Sequence, residues 1–272
     1  MYNFFFKIIS KFYIALNLII DIGNTRIKAG LFEQNLLKHF FVFETSSHDS
    51  EIVSPAVKGS SALIAADLFN KYAIDQCIVA SVVDGMEPFT NQLKEKATIL
   101  IFESTMPSPV KNLYQSTNTL GTDRFAAAIG GNSVFPNKNV LVIDAGTCIK
   151  YNFVNSNNEF LGGAISPGLQ MRFNSLNTFT SRLPLIQVEE DFDSLIGSNT
   201  KESILSGVEI GIVAEVEGVI ERYQHIYPDI TVILTGGDTN FFEKRLKSRI
   251  FTDSFIILKG LNRVLEYTIN EK

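Results

Sequence analysis

Short apolar runs alternate with helix-period segments along the whole chain. NLIIDI (17–22) and RIKAGLFE (26–33) flank a Gly-Asn-Thr turn and predict a pair of strands, with a third strand over 37–44. The pattern then predicts a helix over 60–72, a buried strand over 76–82, a helix over 88–97 and a strand over 98–102. Residues 103–121, with Ser, Thr, Asn and two prolines, read as a loop. A helix from Thr122 to about Phe135 follows, carrying RFAAAIGG.

The second half repeats the scheme. Strands are expected over 139–144, 148–154 and 159–165. Ile204, Val208, Ile212, Val216, Val219 and Tyr223 recur at helical spacing and predict one long helix over 200–226. A strand over 230–235, a Gly236-Gly237 turn, a helix from about 239, a strand near 254–258 and a closing helix complete the order. The halves also share a motif: I-D-I-G-N-T-R-I-K at 20–28 aligns with I-D-A-G-T-C-I-K at 143–150, each at the end of an apolar strand. Two copies about half a chain apart predict a duplicated α/β domain with a cleft between the halves.

Composition narrows the function. The 272 residues suit one large domain or two small ones, and 45% apolar with 19% charged residues is enough for a real core. A net charge of −5 and the lack of clustered Lys/Arg speak against a nucleic-acid binder. Cys77 and Cys148 lie in apolar runs and read as buried thiols of a reducing cytoplasm; with His39, His48 and His225 they give no zinc spacing. The apolar stretch at 4–20 is broken by Lys7, Ser10, Lys11 and Asn17 and falls short of the roughly 20 residues of a membrane span. Residues 1–15 read either as a non-native extension ahead of a true start at Leu16 or as a short real one.

Asp-x-Gly-x-Thr on a tight turn serves equally as a hairpin turn and as a phosphate site. Glycine admits close approach of backbone N–H groups, and the aspartate can hold a hydrated Mg²⁺. Its duplication favours function. Thr235-Gly236-Gly237-Asp238 is an ordinary strand-to-helix loop or a nucleotide contact. Asp123, at a loop-to-helix junction, is a helix cap or a carboxylate beside a substrate hydroxyl, and Arg124 can clamp an anion. The glycines of 162–168 let backbone pass close to a ligand or partner, and Thr200 is a natural cap or a substrate contact.

Taken in order, D-x-G-N-T-x-x-K (21–28), G-x-D-R (121–124), D-x-G-T (144–147), G-G-x-I-x-P-G (162–168) and T-G-G-D (235–238) resemble type III pantothenate kinase, of the acetate/sugar kinase–chaperone–actin superfamily, from about Leu16 to the C-terminus. The resemblance implies duplicated actin-like (ribonuclease H-like) domains, here 16–136 and 137–272, with a nucleotide cleft between them. It implies ATP- and Mg²⁺-dependent phosphorylation of the primary hydroxyl of pantothenate, in the cytoplasm, by a homodimer. Asp21, Ile22, Gly23, Asn24, Thr25, Arg26, Ile27 and Lys28 would line the ATP phosphates, with Mg²⁺ held by Asp21 through water, and Thr147 would contact ATP from the other half. Asp123 corresponds to the proton acceptor; Tyr114, Gly121, Thr122, Arg124 and Thr200 to substrate contacts; and Asp144 to the ligand of a monovalent cation, K⁺ or NH₄⁺.

The chain departs from the family pattern at two places. Asn152 stands where a second aspartate is common, and Lys150 where a small or apolar residue is commoner; pointing into the site, Lys150 would weaken or replace the K⁺ requirement, whereas the expected outward alternation on its strand leaves the K⁺ site intact. The rival readings are another phosphotransferase of the superfamily and a non-catalytic regulatory relative. The long helix over 200–226 is either a subunit interface or buried within one subunit.

Overall fold

The computed structural model describes residues 16–44, 62–85 and 87–270; the expected 1–15 extension and the first two residues of the helix predicted over 60–72 lie outside them. The chain packs as two units, Met1–Met106 with Leu261–Lys272, and Pro107–Gly260.

The first unit holds β1 (Leu16–Ile22), β2 (Arg26–Glu33), β3 (Leu36–Glu44), α1 (Ala62–Lys71), β4 (Ile74–Ser81), α2 (Glu87–Lys94) and β5 (Thr98–Ile101). Its sheet has the order β3-β2-β1-β4-β5, antiparallel from β3 to β1 and parallel beyond. β1 lies at the centre, which is why it reads as a continuous apolar run rather than an alternating one. Leu18, Ile20 and Ile22 pack with Ile27, Leu31 and Val79 and with Leu68, Phe89 and Leu93 of the helices. Asn262 ties the C-terminal segment of this unit to the sheet: it accepts from Asn17 at 3.1 Å and donates to the Gln34 carbonyl at 2.8 Å.

The second unit contains β6 (Lys111–Asn112), α3 (Thr122–Val134), β7 (Val140–Ala145), β8 (Cys148–Val154), β9 (Glu159–Pro167), α4 (Leu169–Thr178), α5 (Thr200–Leu205), α6 (Gly211–Ile226), β10 (Thr231–Thr235), α7 (Thr239–Glu243) and β11 (Phe251–Thr252). The closing helix α8 (Ile256–Asn270) begins here and ends in the first unit. The sheet order is β11-β10-β7-β8-β9-β6. With the edge strand β6 set aside, it repeats the strand order and direction of the first sheet. The repeat read from the two Asp-Gly turns is therefore a repeat of topology. α3 packs on β7 and β8 and so belongs to the second unit.

Three local expectations change. The apolar run near 254–258 opens α8 instead of forming a strand; the Asp253 side chain accepts the Phe255 amide at 2.9 Å, and Ile256, Ile257, Leu261, Val264 and Leu265 are buried at helical spacing. Short apolar runs carry no period of their own. The loop expected over 103–121 contains β6 and a 3₁₀ turn at Thr117–Thr119, and α4 follows Gly168. The helix over 200–226 keeps its course but is interrupted by a π-helical turn at Ser206–Ile210. Ile204, Val208, Ile212, Val216 and Ile220, all buried in the core, repeat every fourth residue. On a helix of 3.6 residues per turn such a row drifts by about 40° per step. One wider turn brings it back toward the sheet. This stripe is thus covered within the unit.

α3 and α8 cross at glycines: a Cβ on Gly260 would stand 1.9 Å from the Ala126 carbonyl oxygen, and one on Gly130 would stand 2.0 Å from that of Ile256. Gly260→Ala must push the two backbones apart. The expected loss is about 1–3 kcal/mol, as for other overpacked cores, read as a lower midpoint in urea unfolding.

Candidate active site

In the first unit, Asp21 is the last residue but one of β1 and faces Lys28 across the hairpin. The turn is closed by the Gly23 amide donating to the Arg26 carbonyl at 3.0 Å. Asp21 is buried; Asn24, Thr25 and Arg26 are exposed; and the side chains of Ile22 and Ile27 belong to the core. Only the main chain of the two isoleucines is left to meet a ligand.

The second unit builds the equivalent turn and adds to it. Asp144 is the last residue but one of β7 and pairs with Lys150 in register, as Asp21 does with Lys28. Since β10 runs parallel beside β7 with Thr235 opposite Asp144, the Gly236-Gly237 turn arrives at the same end of the sheet. The Asp238 amide donates to the Ala145 carbonyl at 3.0 Å and the Gly168 amide to that of Thr147 at 3.1 Å. A Cβ on Gly168 would fall 1.9 Å from the Gly146 oxygen, and one on Gly236 (φ +103°) 2.1 Å from that of Ala145. Three motifs separated in sequence thus form one backbone cradle, with Thr147 exposed on it. Gly162 plays a different part, giving room to the Tyr114 ring, 3.0 Å from where its Cβ would be.

Beside the cradle lies a charged cluster. Gly121 precedes α3 and Thr122 opens it, so Asp123 sits in the first turn, where the helix dipole favours a carboxylate. Its Oδ1 accepts the Arg124 amide at 2.8 Å. Its Oδ2 lies 2.6 Å from Lys150 Nζ, and the same nitrogen is 3.1 Å from Asp144 Oδ2. Asp123 and Asp144 are each only 9% exposed. Burial opposes the Lys150 charge, yet attraction to Asp144 and Asp123 and hydrogen bonds to both outweigh it and hold the ammonium above the ordinary lysine pKa.

Lys150 therefore does not turn away from the site. Alternation on β8 is as expected, with Ile149, Tyr151 and Phe153 in the core beneath α5 and α6. The opposite face is covered by α3, and it carries Lys150 and Asn152 to Asp123 and Arg124. The expected K⁺ or NH₄⁺ on Asp144 does not fit this arrangement, because a tethered ammonium already holds the carboxylate.

Arg124 donates from Nε to Asn152 Oδ1 at 2.9 Å, and its guanidinium lies 5.6 Å from the centre of the Tyr114 ring. Arg124 Nη2 and Asn152 Nδ2 are buried with no hydrogen-bond partner among the described residues. Two unsatisfied donors side by side suit an acceptor brought by a ligand. Tyr114, Asp123, Arg124, Asp144 and Lys150 thus come together, with Gly121 and Thr122 at the start of the helix. Thr200 lines a cavity of about 600 Å³ with Arg172, Leu176, Ser203 and Val208. It is not the cap of α5; Asn199 is, accepting the Glu202 amide at 3.0 Å.

Sequence reasoning missed Glu215, which accepts from Ser166 Oγ and Arg172 Nη2, each at 2.6 Å, and so fastens the end of β9 and α4 to α6. No local signal marks it, because its partners, Ser166 on β9, Arg172 on α4 and Tyr151 on β8, lie 43 to 64 residues earlier. Burial pushes its carboxyl up, but the hydrogen bonds from Ser166 and Arg172 and the arginine charge pull it below the usual range.

The two repeated sheets are those of the actin-like kinase fold. A Streptomyces griseus ROK family glucokinase shares the fold with a TM-score of 0.54 at 12% identity, over 93% of this chain and 99% of that one. A Campylobacter jejuni protein described as a Baf family transcriptional activator aligns with a TM-score of 0.58 at 20% identity, over 93% and 99%. These likenesses are of fold alone. The family is given by sequence: the type III pantothenate kinase model matches residues 17–222, and a Bacteroides fragilis protein of that name is 44% identical over 93% of this chain and 98% of its own. The chain belongs to the type III pantothenate kinase family. It is a kinase, and as such uses ATP with a divalent metal.

Glu215→Gln checks the tie. A depressed carboxyl pKa contributes stability above the ordinary glutamate value, about 4.3, which is lost as pH falls through the folded value. The variant is expected to be less stable at pH 7 by on the order of 1 kcal/mol, discounted for partial exposure. In urea unfolding the gap should close toward pH 3.

Proposed function

We propose that the protein transfers the γ-phosphoryl group of ATP to the primary hydroxyl of pantothenate, giving 4′-phosphopantothenate, the first step of coenzyme A synthesis. The observation that carries this reading is the pairing of a buried carboxylate, Asp123, with a guanidinium that keeps an unsatisfied donor, Arg124, beside Tyr114. Pantothenate bears both a hydroxyl and a carboxylate, and the pair offers a proton acceptor for the one and a clamp for the other. Gly121, Thr122 and Thr200 are proposed as further substrate contacts.

Phosphoryl transfer asks mainly for position and charge. Asp123 would orient the hydroxyl and take its proton as the bond to phosphorus forms. In the first unit the turn Asp21–Lys28 would hold phosphates through main-chain N–H groups and the Asn24, Thr25 and Lys28 side chains. In the second, Thr147 would contact ATP from the glycine cradle. Asp21 fits a hydrated Mg²⁺, being a buried carboxylate at a strand end. When bound, that ion would supply positive charge to offset that of the phosphates.

The test is ADP release with ATP, Mg²⁺ and pantothenate. Asp123→Asn is expected to lower kcat by about 10²–10⁴-fold, the usual contribution of a positioned base. Glucose in place of pantothenate should give no turnover. Folded wild type that releases ADP with glucose and not with pantothenate would overturn the reading in favour of a sugar kinase.

A homodimer is proposed as the working form. It is supported by Phe179, Leu195 and Ile196, which are 84%, 75% and 81% exposed on one stretch of the second unit. Light scattering should give twice the 30.3 kDa chain mass, and Ile196→Asp should return it to one. A cytoplasmic location goes with this substrate; among the described residues no helix is long and apolar enough to cross a membrane.

A further inference from the structure

Two carboxylates held within reach of one nitrogen repel each other unless a positive charge stands between them. In the second unit that charge comes from the chain itself. Lys150 Nζ touches Asp123 Oδ2 at 2.6 Å and Asp144 Oδ2 at 3.1 Å, and all three side chains are largely buried. An ammonium has three donors, of which the two carboxylates take two. Its location is set by β-sheet register: Lys150 is directly opposite Asp144 on the neighbouring strand, and α3 closes over that face with Asp123 in its first turn.

We propose that Lys150 is a built-in monovalent cation: it bridges Asp123 and Asp144, aims the Asp123 carboxylate for proton transfer, and makes the reaction independent of K⁺ or NH₄⁺. A free cation would have to compete for Asp144 with a group of the same charge that is covalently fixed beside it. Lys150 acts through Asp123, so it is a positioning residue. The inference rests on Asp123 being the proton acceptor of the proposed kinase.

The test compares wild type, Lys150→Met and Lys150→Arg in the chlorides of K⁺, NH₄⁺, Na⁺ and choline at equal ionic strength. Wild type is expected to show the same kcat, within twofold, in all four salts, and the same melting temperature in K⁺ and choline. Lys150→Met should lose kcat at least 100-fold in choline, with a smaller change in the KM for pantothenate. Small cations should then restore part of the loss saturably, and K⁺ or NH₄⁺ should raise its melting temperature. Lys150→Arg, which keeps the charge, should retain more activity than the methionine variant and stay insensitive to salt.

Tenfold activation of wild type by K⁺, or a K⁺-specific rise in its melting temperature, would overturn the proposal even if neither variant folds. So would a methionine variant with full kcat, or one that no monovalent cation restores. The melting comparison needs no turnover, so it reads the lysine separately from the identity of the acceptor.

Discussion

A strand covered on both faces can offer chemistry only at its ends. β1 and β7 are the central strands of their sheets, and both are buried along most of their length. Each delivers an aspartate at its last residue but one and then a glycine turn, where backbone can face a ligand. In the second unit the same constraint recruits distant segments. Parallel register brings the end of β10 level with Asp144, and the start of α4 stacks on Gly146. The cradle follows from the sheet, and the individual glycines only permit it.

Placing charge against such a core has a cost. Asp123, Asp144, Lys150 and Arg124 balance in formal charge, yet removing four ionised groups from water is unfavourable unless each is well paired. Two of the contacts are short ion pairs, the helix dipole assists Asp123, and Arg124 is left partly unsatisfied. A chain selected for stability alone would fill this space with apolar side chains. Departures from local consistency of this sort gather where chemistry is done.

Much of this was legible in the chain. The strand pairs and their glycine turns follow from β-branched runs and turn residues, and the repeated I-D-x-G motif anticipated a repeat of topology. Asp123 and Arg124 stood out because a charged pair at a helix start is conspicuous. The direction of Lys150 was not legible. Alternation gives which of two faces a residue occupies, but whether that face is wet depends on α3, whose Asp123 lies 27 positions earlier. The start of α8 was misread because a four-residue apolar run fits either period. The π turn became visible only through packing, although the strict four-residue repeat of Ile204, Val208, Ile212 and Val216 already strains an ordinary helix.

The short strand β6 carries a consequence for recognition. It runs parallel to β9, with the Lys111 amide bonded to the Asn158 carbonyl at 2.8 Å and that of Leu113 to Phe160 at 3.0 Å. The segment bearing Tyr114 is thereby stitched to the sheet, and α3 anchors its other end. Tyr114 and Arg124 are held in place by the fold itself, so the conformational entropy of this region is surrendered when the chain folds rather than when a ligand arrives. Preorganisation of this kind favours rapid, shape-selective capture over the adaptive wrapping of a mobile lid.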